Sequence, residues 1–455
     1  MNRVADELRN RVRGDVVTAD DATYDTARAV YNAMIDRRPL AVVEADGVPD
    51  VMATVAIAAA RGLPLAVRGG GHNVAGFGTC DDGIVLDLGR LDGIRVDRDA
   101  RTARAEGGCT WAQLDHATHT FGLATVGGTV SSTGIAGLTL GGGMGLLTRR
   151  YGLTCDNLLG ADVVTADGRL VHCDTDRHPD LFWAIRGGGG NFGVVTSFEY
   201  RLHPVDTIIG GPTIFAIDAD VLRAYRDFLA DAPRELTAIF AFAPAPPAPF
   251  VPPEWHNRPA CIVLGCWSGD PEAAGPVYDE IAGFGELVAQ GVGPMPYPAI
   301  NQLFDELLPP GIRHYWKGDL RRELTDDAIK AHVEHSSKVP CPESGVFLFP
   351  LDGAVDDVAA DATAFAHRDA AFSTAYCGSF GDADATSDVV AWVRDAYEAQ
   401  RPHSLDAGYI NFMAGDDAER ARANFGDHWD RLARIKATYD PENLFRLNQN
   451  IPPAA

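Results

Sequence analysis

The chain has 455 residues, 46% of them apolar and 22% charged, with a formal net charge of −24 at neutral pH. That length exceeds one simple core, so two or three domains are expected, with the composition of an ordinary globular protein. The acidic balance argues against nucleic acid and anionic membrane surfaces as partners, since both would repel it. No run of about 18 apolar residues occurs, so no transmembrane helix is expected. The stretch Met1–Glu7 is mixed in charge and lacks the apolar centre of a secretory signal. Eight cysteines are scattered with no C-x-x-C pair, which points to free thiols in a reducing cytoplasm.

Residues 25–60 carry two amphipathic helical patterns around a strand at Leu40–Val43. The second helix opens near Pro49, where the missing N–H costs no helical bond, and stops at Arg61-Gly62. Pro64–Val67 reads as a short buried strand. It leads into Arg68-Gly69-Gly70-Gly71-His72-Asn73. Three successive glycines permit positive φ and a close approach of backbone to a large anion, and successive N–H groups can form an anion cradle. Arg68 adds a positive charge at its entrance and His72 a nucleophilic or basic side chain at its rim. A phosphate cradle and a plain glycine bend are both open at this point.

Further strands are expected at Ile84–Leu88, Ile94–Val96 and Thr102–Ala105. Thr110-x-x-Gln113 is a capping box for a helix that runs to Phe121 and stops at Gly122. His116 and His119 lie on that helix without a third ligand, and read as its solvated face. From Val126 to Gly145 the glycines are dense and charge is nearly absent, which suits backbone wrapped around a ligand better than an exposed linker. Asp162–Val171 is a hairpin with an Asp-Gly turn, and Pro179 opens a short helix. Gly188-x-Gly190-x-x-Gly193 matches the dinucleotide fingerprint only formally: it follows a helix and precedes a strand, the reverse of the required order. It can still be a third ligand-facing loop.

After Pro204 the pattern changes. Helices are expected at 219–230, 271–285 and 384–399, and strands at Thr237–Phe242 and Ala260–Trp267, as in an antiparallel sheet with helices on one face. Ala243–Pro253, with six prolines, is a rigid surface connection. Val389, Trp392, Val393, Ala396 and Tyr397 share one helix face and read as core. A long helical pattern after 417 leads to Tyr439-Asp440-Pro441-Glu442-Asn443-Leu444-Phe445. The run Asn448-Gln449-Asn450 offers amide donors and acceptors to a polar ring, or is a frayed end.

Several segments together carry a resemblance. They are the 68–73 loop, Gly141-Gly142-Gly143-Met144-Gly145, and Arg150-Tyr151-Gly152-Leu153-x-x-Asp156-Asn157. To these add Asp180–Val195, Tyr439-Asp440-Pro441-x-Asn443-x-Phe445 and Asn448-x-Asn450. In this order they resemble the FAD-linked oxidases with a vanillyl-alcohol-oxidase (PCMH-type) flavin domain, and among those the berberine-bridge-enzyme-like branch. The resemblance implies an α+β fold in two parts. A bipartite FAD-binding domain comes from residues 1–204 and 415–455. A substrate domain from 205–414 is an antiparallel sheet with helices on one face.

The resemblance also implies FAD contacts at Arg68, Gly69, Gly70, Gly71, His72, Asn73, Gly128, Thr133, Gly137, Gly142, Gly143, Asp156, Asn157, Gly190, Gly193, Val195, Asn448 and Asn450. It implies that the imidazole of His72 is bonded to the flavin 8α-methyl carbon. Where some members add a cysteine bond to flavin C6, this chain has Val130, so a single attachment is expected, as in the 6-hydroxy-D-nicotine-oxidase-type members. Thr133 occupies a place that influences oxygen access. Alcohol-oxidising members carry Tyr-x-Asn-Tyr on the strand leaving the substrate domain, the last tyrosine acting as base. Here it reads Tyr409-Ile410-Asn411-Phe412, which leaves Tyr409 and Asn411 as candidate site residues without that base. Tyr315 and Lys317 read as a solvated loop. The expected activity is an oxidase taking a hydride from a small amine or alcohol, with O2 reoxidation giving H2O2. A dehydrogenase with another acceptor and a flavin carrier without turnover are the alternatives. A monomer or homodimer is expected.

Overall fold

Buried β-branched runs on both sides of a helix set the first layer. The computed structural model describes residues 3–455, so Met1 and Asn2 of the mixed-charge start lie outside the described residues. Strands β1 (Asp15–Val17), β2 (Ala41–Glu44), β3 (Leu65–Arg68) and β4 (Ile84–Asp87) form a sheet in the order β1-β2-β4-β3. The pairings of β2 and β3 with β4 are parallel, because the helix Val48–Arg61 makes the crossover. Gly62 ends that helix at φ +61°. Strands β5 (Ile94–Asp97), β6 (Thr102–Glu106), β7 (Leu123–Ala124), β8 (Leu158–Val164), β9 (Leu170–Asp174) and β10 (Val194–Arg201) follow. Five of them build an antiparallel sheet, β5-β6-β10-β8-β9, and β7 pairs with β11 (His203–Pro204).

The rest of the strands form one eight-stranded antiparallel sheet. They are β12 (Thr207–Phe215), β13 (Leu236–Pro244), β14 (Pro259–Trp267), β15 (Leu287–Gln290), β16 (Gly293–Pro296), β17 (Arg313–Arg321), β18 (Gly345–Pro350) and β19 (Phe372–Phe380). The order is β15-β12-β14-β13-β18-β19-β17, with β16 on the far end of β12. Alternation divides its two faces. Phe240, Phe242, Val346, Leu348 and Tyr376 pack under the helices Ala219–Leu229, Ala274–Ala282, Asp326–Ser336 and Thr386–Gln400. Ile239, Phe349, Ala375 and Cys377 pack against Met144, Leu146 and Leu153 of the glycine-dense segment. The sheet therefore has helices on one face, as expected, and turns the other toward residues 126–155.

Several expectations are corrected. The long carboxy-terminal helix is broken: Ala421–Phe425 ends at Gly426, whose φ is +46°, and the chain restarts as Trp429–Tyr439. That last helix buries Leu432, Ala433 and Ile435 against the core of the five-stranded sheet. Lys436, fully buried, donates to Asp440 at 2.6 Å and to the carbonyls of Asn191 and Phe445. Asp440 in turn accepts the N–H groups of Leu444 and Phe445. The Tyr-Asp-Pro motif is thus a clasp that pins the tail to the first 200 residues. His314–Lys317 is not a loop but part of β17. Lys317 is held 2.8 Å from Asp416, whose other oxygen accepts the Tyr315 hydroxyl at 2.7 Å. Residues 409–412 form a 3-10 turn at Ile410–Phe412 rather than a strand. No helix among the described residues is long and apolar enough to cross a membrane.

Candidate functional site

Strand β3 delivers the 68–73 loop to a cavity of about 320 Å³. The loop passes so close to residues 133–134 that side chains are excluded: a Cβ on Gly70 would lie 2.3 Å from the Gly134 nitrogen, and one on Gly134 would lie 2.3 Å from the Gly70 nitrogen. Gly71 then turns the chain at φ +69°, a region that favours glycine. The 131–134 segment is itself fixed from below. The helix Trp111–His119 starts at the capping box Thr110/Gln113, and its N–H groups at Trp111 and Ala112 donate to the carbonyls of Thr133 and Ser131. Ser131 also donates its hydroxyl to Asp305 at 2.5 Å, which ties the loop to the segment before β17.

His72 sits where these restraints converge. Its Nε2 is 3.1 Å from the Ser132 hydroxyl and its Nδ1 is 3.3 Å from the Thr133 hydroxyl. Its ring stacks on Tyr31 with centroids 3.8 Å apart, and Tyr31 stacks in turn on His314 at 4.6 Å. Burial lowers the imidazole pKa to about 4, because the charged form loses its hydration and gains no carboxylate partner. At neutral pH the ring is therefore uncharged, and one nitrogen carries a free lone pair.

Of the residues expected at the cofactor, Arg68, Gly69, Gly70, Gly71, His72, Asn73, Gly128, Thr133, Gly137, Gly190, Gly193, Val195 and Asn448 line this cavity. Val130 lines it as well, as do Tyr409 and Asn411. The structure does not bring the remaining five to the wall. Gly142 and Gly143 pack on Phe365 and Thr154, and the Gly143 N–H donates to the Tyr409 hydroxyl at 3.0 Å. Asp156 is buried in an ion pair with Arg368 at 2.5 Å. Asn157 donates to the carbonyls of Tyr151 and Leu153 and accepts from His203. At the carboxy-terminal run, Gln449 rather than Asn450 accompanies Asn448 in the wall. Arg68 needs a further correction. Its guanidinium is turned to Asp87 at 2.6 Å and to the carbonyls of Ala27 and Ala29, so its charge is neutralised rather than offered at the entrance.

Tyr409 and Asn411 are tied to each other. Asn411 donates through Nδ2 to the Tyr409 hydroxyl at 2.7 Å and to the Leu138 carbonyl at 3.2 Å. The buried phenol is pushed well above its ordinary pKa by desolvation and stays protonated. Its oxygen accepts from both the Gly143 N–H and the Asn411 amide, which ties residues 409–411 to the glycine segment. The opposite wall was not read from the sequence: Phe304, Trp316, Phe347, Phe349, Cys377 and Ser379 project from the segment before β17 and from the inner face of the large sheet. The i, i+2 pairs on β18 and β19 were the available signal.

Three buried amide oxygens of the tail, on Asn448, Gln449 and Asn450, have no hydrogen-bond partner among the described residues, and the first two belong to residues that line the cavity. Together with the close approach of Gly70 to Gly134, which admits no Cβ, and an uncharged histidine, they fit a flat polar ring system with attached phosphates.

The same conclusion comes from related proteins. A model described as an FAD binding domain matches residues 39–174, and one described as berberine and berberine like matches 408–452. An FAD-linked oxidoreductase of Dictyostelium discoideum is 30% identical over 459 residues, covering 99% of this chain and 97% of that protein. The (R)-6-hydroxynicotine oxidase of Paenarthrobacter nicotinovorans is 31% identical over 455 residues, covering 97% of each. The crystal structure of 6-hydroxy-D-nicotine oxidase from Arthrobacter nicotinovorans superposes with a TM-score of 0.87 at 29% identity, covering 97% of this chain and 98% of the other. The chain belongs to the berberine-bridge-enzyme-like family of FAD-linked oxidoreductases.

Proposed function

We propose that the protein is an oxidase of small organic amines or alcohols whose FAD is tethered by one bond, from the His72 imidazole to the flavin 8α-methyl carbon. Bound FAD supplies the two-electron acceptor for a hydride from a substrate C–H bond, and its reoxidation by O2 gives H2O2. The observation that carries this reading is the state of His72: uncharged at neutral pH, fixed between Ser132 and Thr133, and facing the cavity. A nucleophile must be deprotonated and aimed, and burial with two hydroxyl partners provides both. Val130 in the wall supports a single bond, since no thiol of the 126–137 segment is present to form a second.

In this reading the glycine loops, Asn448 and Gln449 hold the cofactor, and the inner face of the eight-stranded sheet holds substrate. Residues 1–204 with 415–455 then form the flavin unit, and 205–414 the substrate unit. The clasp at Lys436–Asp440 supports that division. Phe412 offers no exchangeable proton, and the Tyr409 phenol is held protonated. An amine favours such a site, because its neutral form releases hydride without a strong base. The likeness to a 6-hydroxynicotine oxidase supports the same choice. Eight free cysteines favour a reducing cytoplasm as its compartment. The test is turnover in air with a substrate that bleaches the flavin anaerobically: one H2O2 per substrate oxidised is expected. A flavin that stays reduced in air would instead assign a dehydrogenase.

A further inference from the structure

The half of the cavity formed by the large sheet has a composition that narrows what it can hold. Trp316 from β17 and Phe347 and Phe349 from β18 face it, joined by Phe304 and by Phe412 of the 409–412 turn. These rings are arranged edge to face or tilted: Phe349 and Phe412 at 5.3 Å, Phe304 and Phe347 at 6.0 Å, Trp316 and Phe412 at 6.3 Å. At these distances the rings pack on one another, so the wall they form is a continuous aromatic surface with part of each residue turned to the cavity.

The side-chain donors Trp316 Nε1 and Asn411 Nδ2 on the same side are already committed. The Ser379 hydroxyl lies 3.0 Å from His314 Nδ1 and accepts the Trp316 indole N–H at 3.2 Å. The Asn411 amide donates to Tyr409 and to the Leu138 carbonyl. Cys377 is buried among apolar groups at the cavity wall, and that burial pushes its thiol far above the ordinary range, so it is an uncharged lining group. Among the ionised side chains of the wall, Arg68 is paired with Asp87. Glu343, half-buried, has no ion-pair partner among the described residues.

A saccharide entering this space would lose water from several hydroxyls and find few donors or acceptors in return. A carboxylic acid would enter a wall that carries the Glu343 carboxylate, with no unpaired Arg or Lys lining it among the described residues. A flat ring finds aromatic neighbours, and a positive charge on it is attracted by their faces and by the carboxylate in the same wall. We infer that the substrate is a flat aromatic compound, neutral or cationic, held by the aromatic face of the eight-stranded sheet, rather than a saccharide or an acid. This rests on the reading above, in which the flavin fills the glycine-lined half.

Four probes test it on the flavin-loaded protein, kept anaerobic, by the change each causes in the flavin absorption spectrum: benzylamine, benzyl alcohol, benzoate and cellobiose. Benzylamine and benzyl alcohol are expected to act at concentrations at least tenfold below benzoate and cellobiose. Phe347→Ala should weaken both aromatic probes about tenfold without strengthening cellobiose. Glu343→Gln, at a half-buried position, should weaken benzylamine and leave benzyl alcohol unchanged. Binding of cellobiose or benzoate as tightly as the two favoured probes overturns the inference, and so does a panel in which none of the four binds. Photoreduction of the same sample followed by admission of air reports separately on the flavin. A flavin that reoxidises with H2O2 while the probe order fails sinks the substrate class alone; a sample that holds no flavin sinks the cofactor reading.

Discussion

On one side of the cavity backbone lies against backbone: a Cβ on Gly70 would stand 2.3 Å from the Gly134 nitrogen. On the other side, side chains from β17, β18 and β19 fill the wall, and the strands behind them are spaced by ordinary sheet hydrogen bonds. Where backbone meets backbone, N–H groups are held in fixed places and a side chain at Gly70 or Gly134 is excluded. A wall of side chains can be repainted one position at a time while the sheet persists. The first kind suits a large ligand held by backbone N–H groups. The second suits a ligand chosen by side-chain shape and polarity. The seam between them is the stack of His72, Tyr31 and His314, in which the middle ring touches one group from each side.

The contrast can be broken at four points. The largest effect is expected behind the side-chain wall. Asp319 and Arg321 are a fully buried ion pair at 2.8 Å, and Arg321 also meets Gln400, His332 and Tyr376. Asp319→Asn leaves an uncompensated guanidinium and should cost about 3–5 kcal/mol in urea denaturation. If the protein that still folds retains its flavin, the two walls are separable as described. Gly70→Ala acts on the other wall. It forces the 68–73 and 133–134 backbones apart, with an expected loss of about 1–3 kcal/mol and of most bound flavin. Retention of flavin at the wild-type level would contradict the close-packed cradle.

The third point is pH. His314, almost fully buried, has its pKa lowered from 6.5 to about 3 by desolvation. The unfolded chain therefore binds a proton below pH 6.5 that the folded chain refuses until about pH 3. Stability should fall with acidification across that window, at about 1.4 kcal/mol per pH unit for this residue. His314→Asn should flatten the acid limb of the urea midpoint, and an unchanged slope would show that His314 is not the group responsible. The smallest effect is the stacking itself: a Tyr31→Ala, His72→Ala double-mutant cycle should give a coupling of about 0.5–1.5 kcal/mol beyond the burial each ring loses. Tyr31→Ala alone should also lower the fraction of covalently held flavin as His72 gains freedom. Tyr31→Phe keeps the ring and should restore that fraction.

How much of this was legible in the sequence follows the same division. Glycine constraints are local, so the 68–73 loop, the 126–145 segment and the 188–193 turn stood out as candidate ligand-facing backbone from short windows, and parts of all three line the cavity. The aromatic wall is assembled from alternate positions on strands far apart in the chain, and no short window contains it. Strand β17 was missed because His314, Tyr315, Trp316 and Lys317 look polar. Lys317 is nevertheless buried, since Asp416 arrives from a distant segment to pair with it. Asp156, Asn157, Gly142 and Gly143 belong to a motif that resembles cofactor contacts, yet they shape the loops behind the cavity rather than its surface. The broken carboxy-terminal helix hid in a periodic pattern because one glycine at positive φ is enough to redirect it.

The proposed tether at His72 is tested most directly by denaturing the purified flavin-loaded protein in acid and separating protein from supernatant. The expected result is flavin absorbance and fluorescence that stay with the protein, on a single peptide containing His72, and that move to the supernatant in His72→Ala. Wild-type flavin that washes off on denaturation, or an adduct mapped to any other residue, would contradict the account.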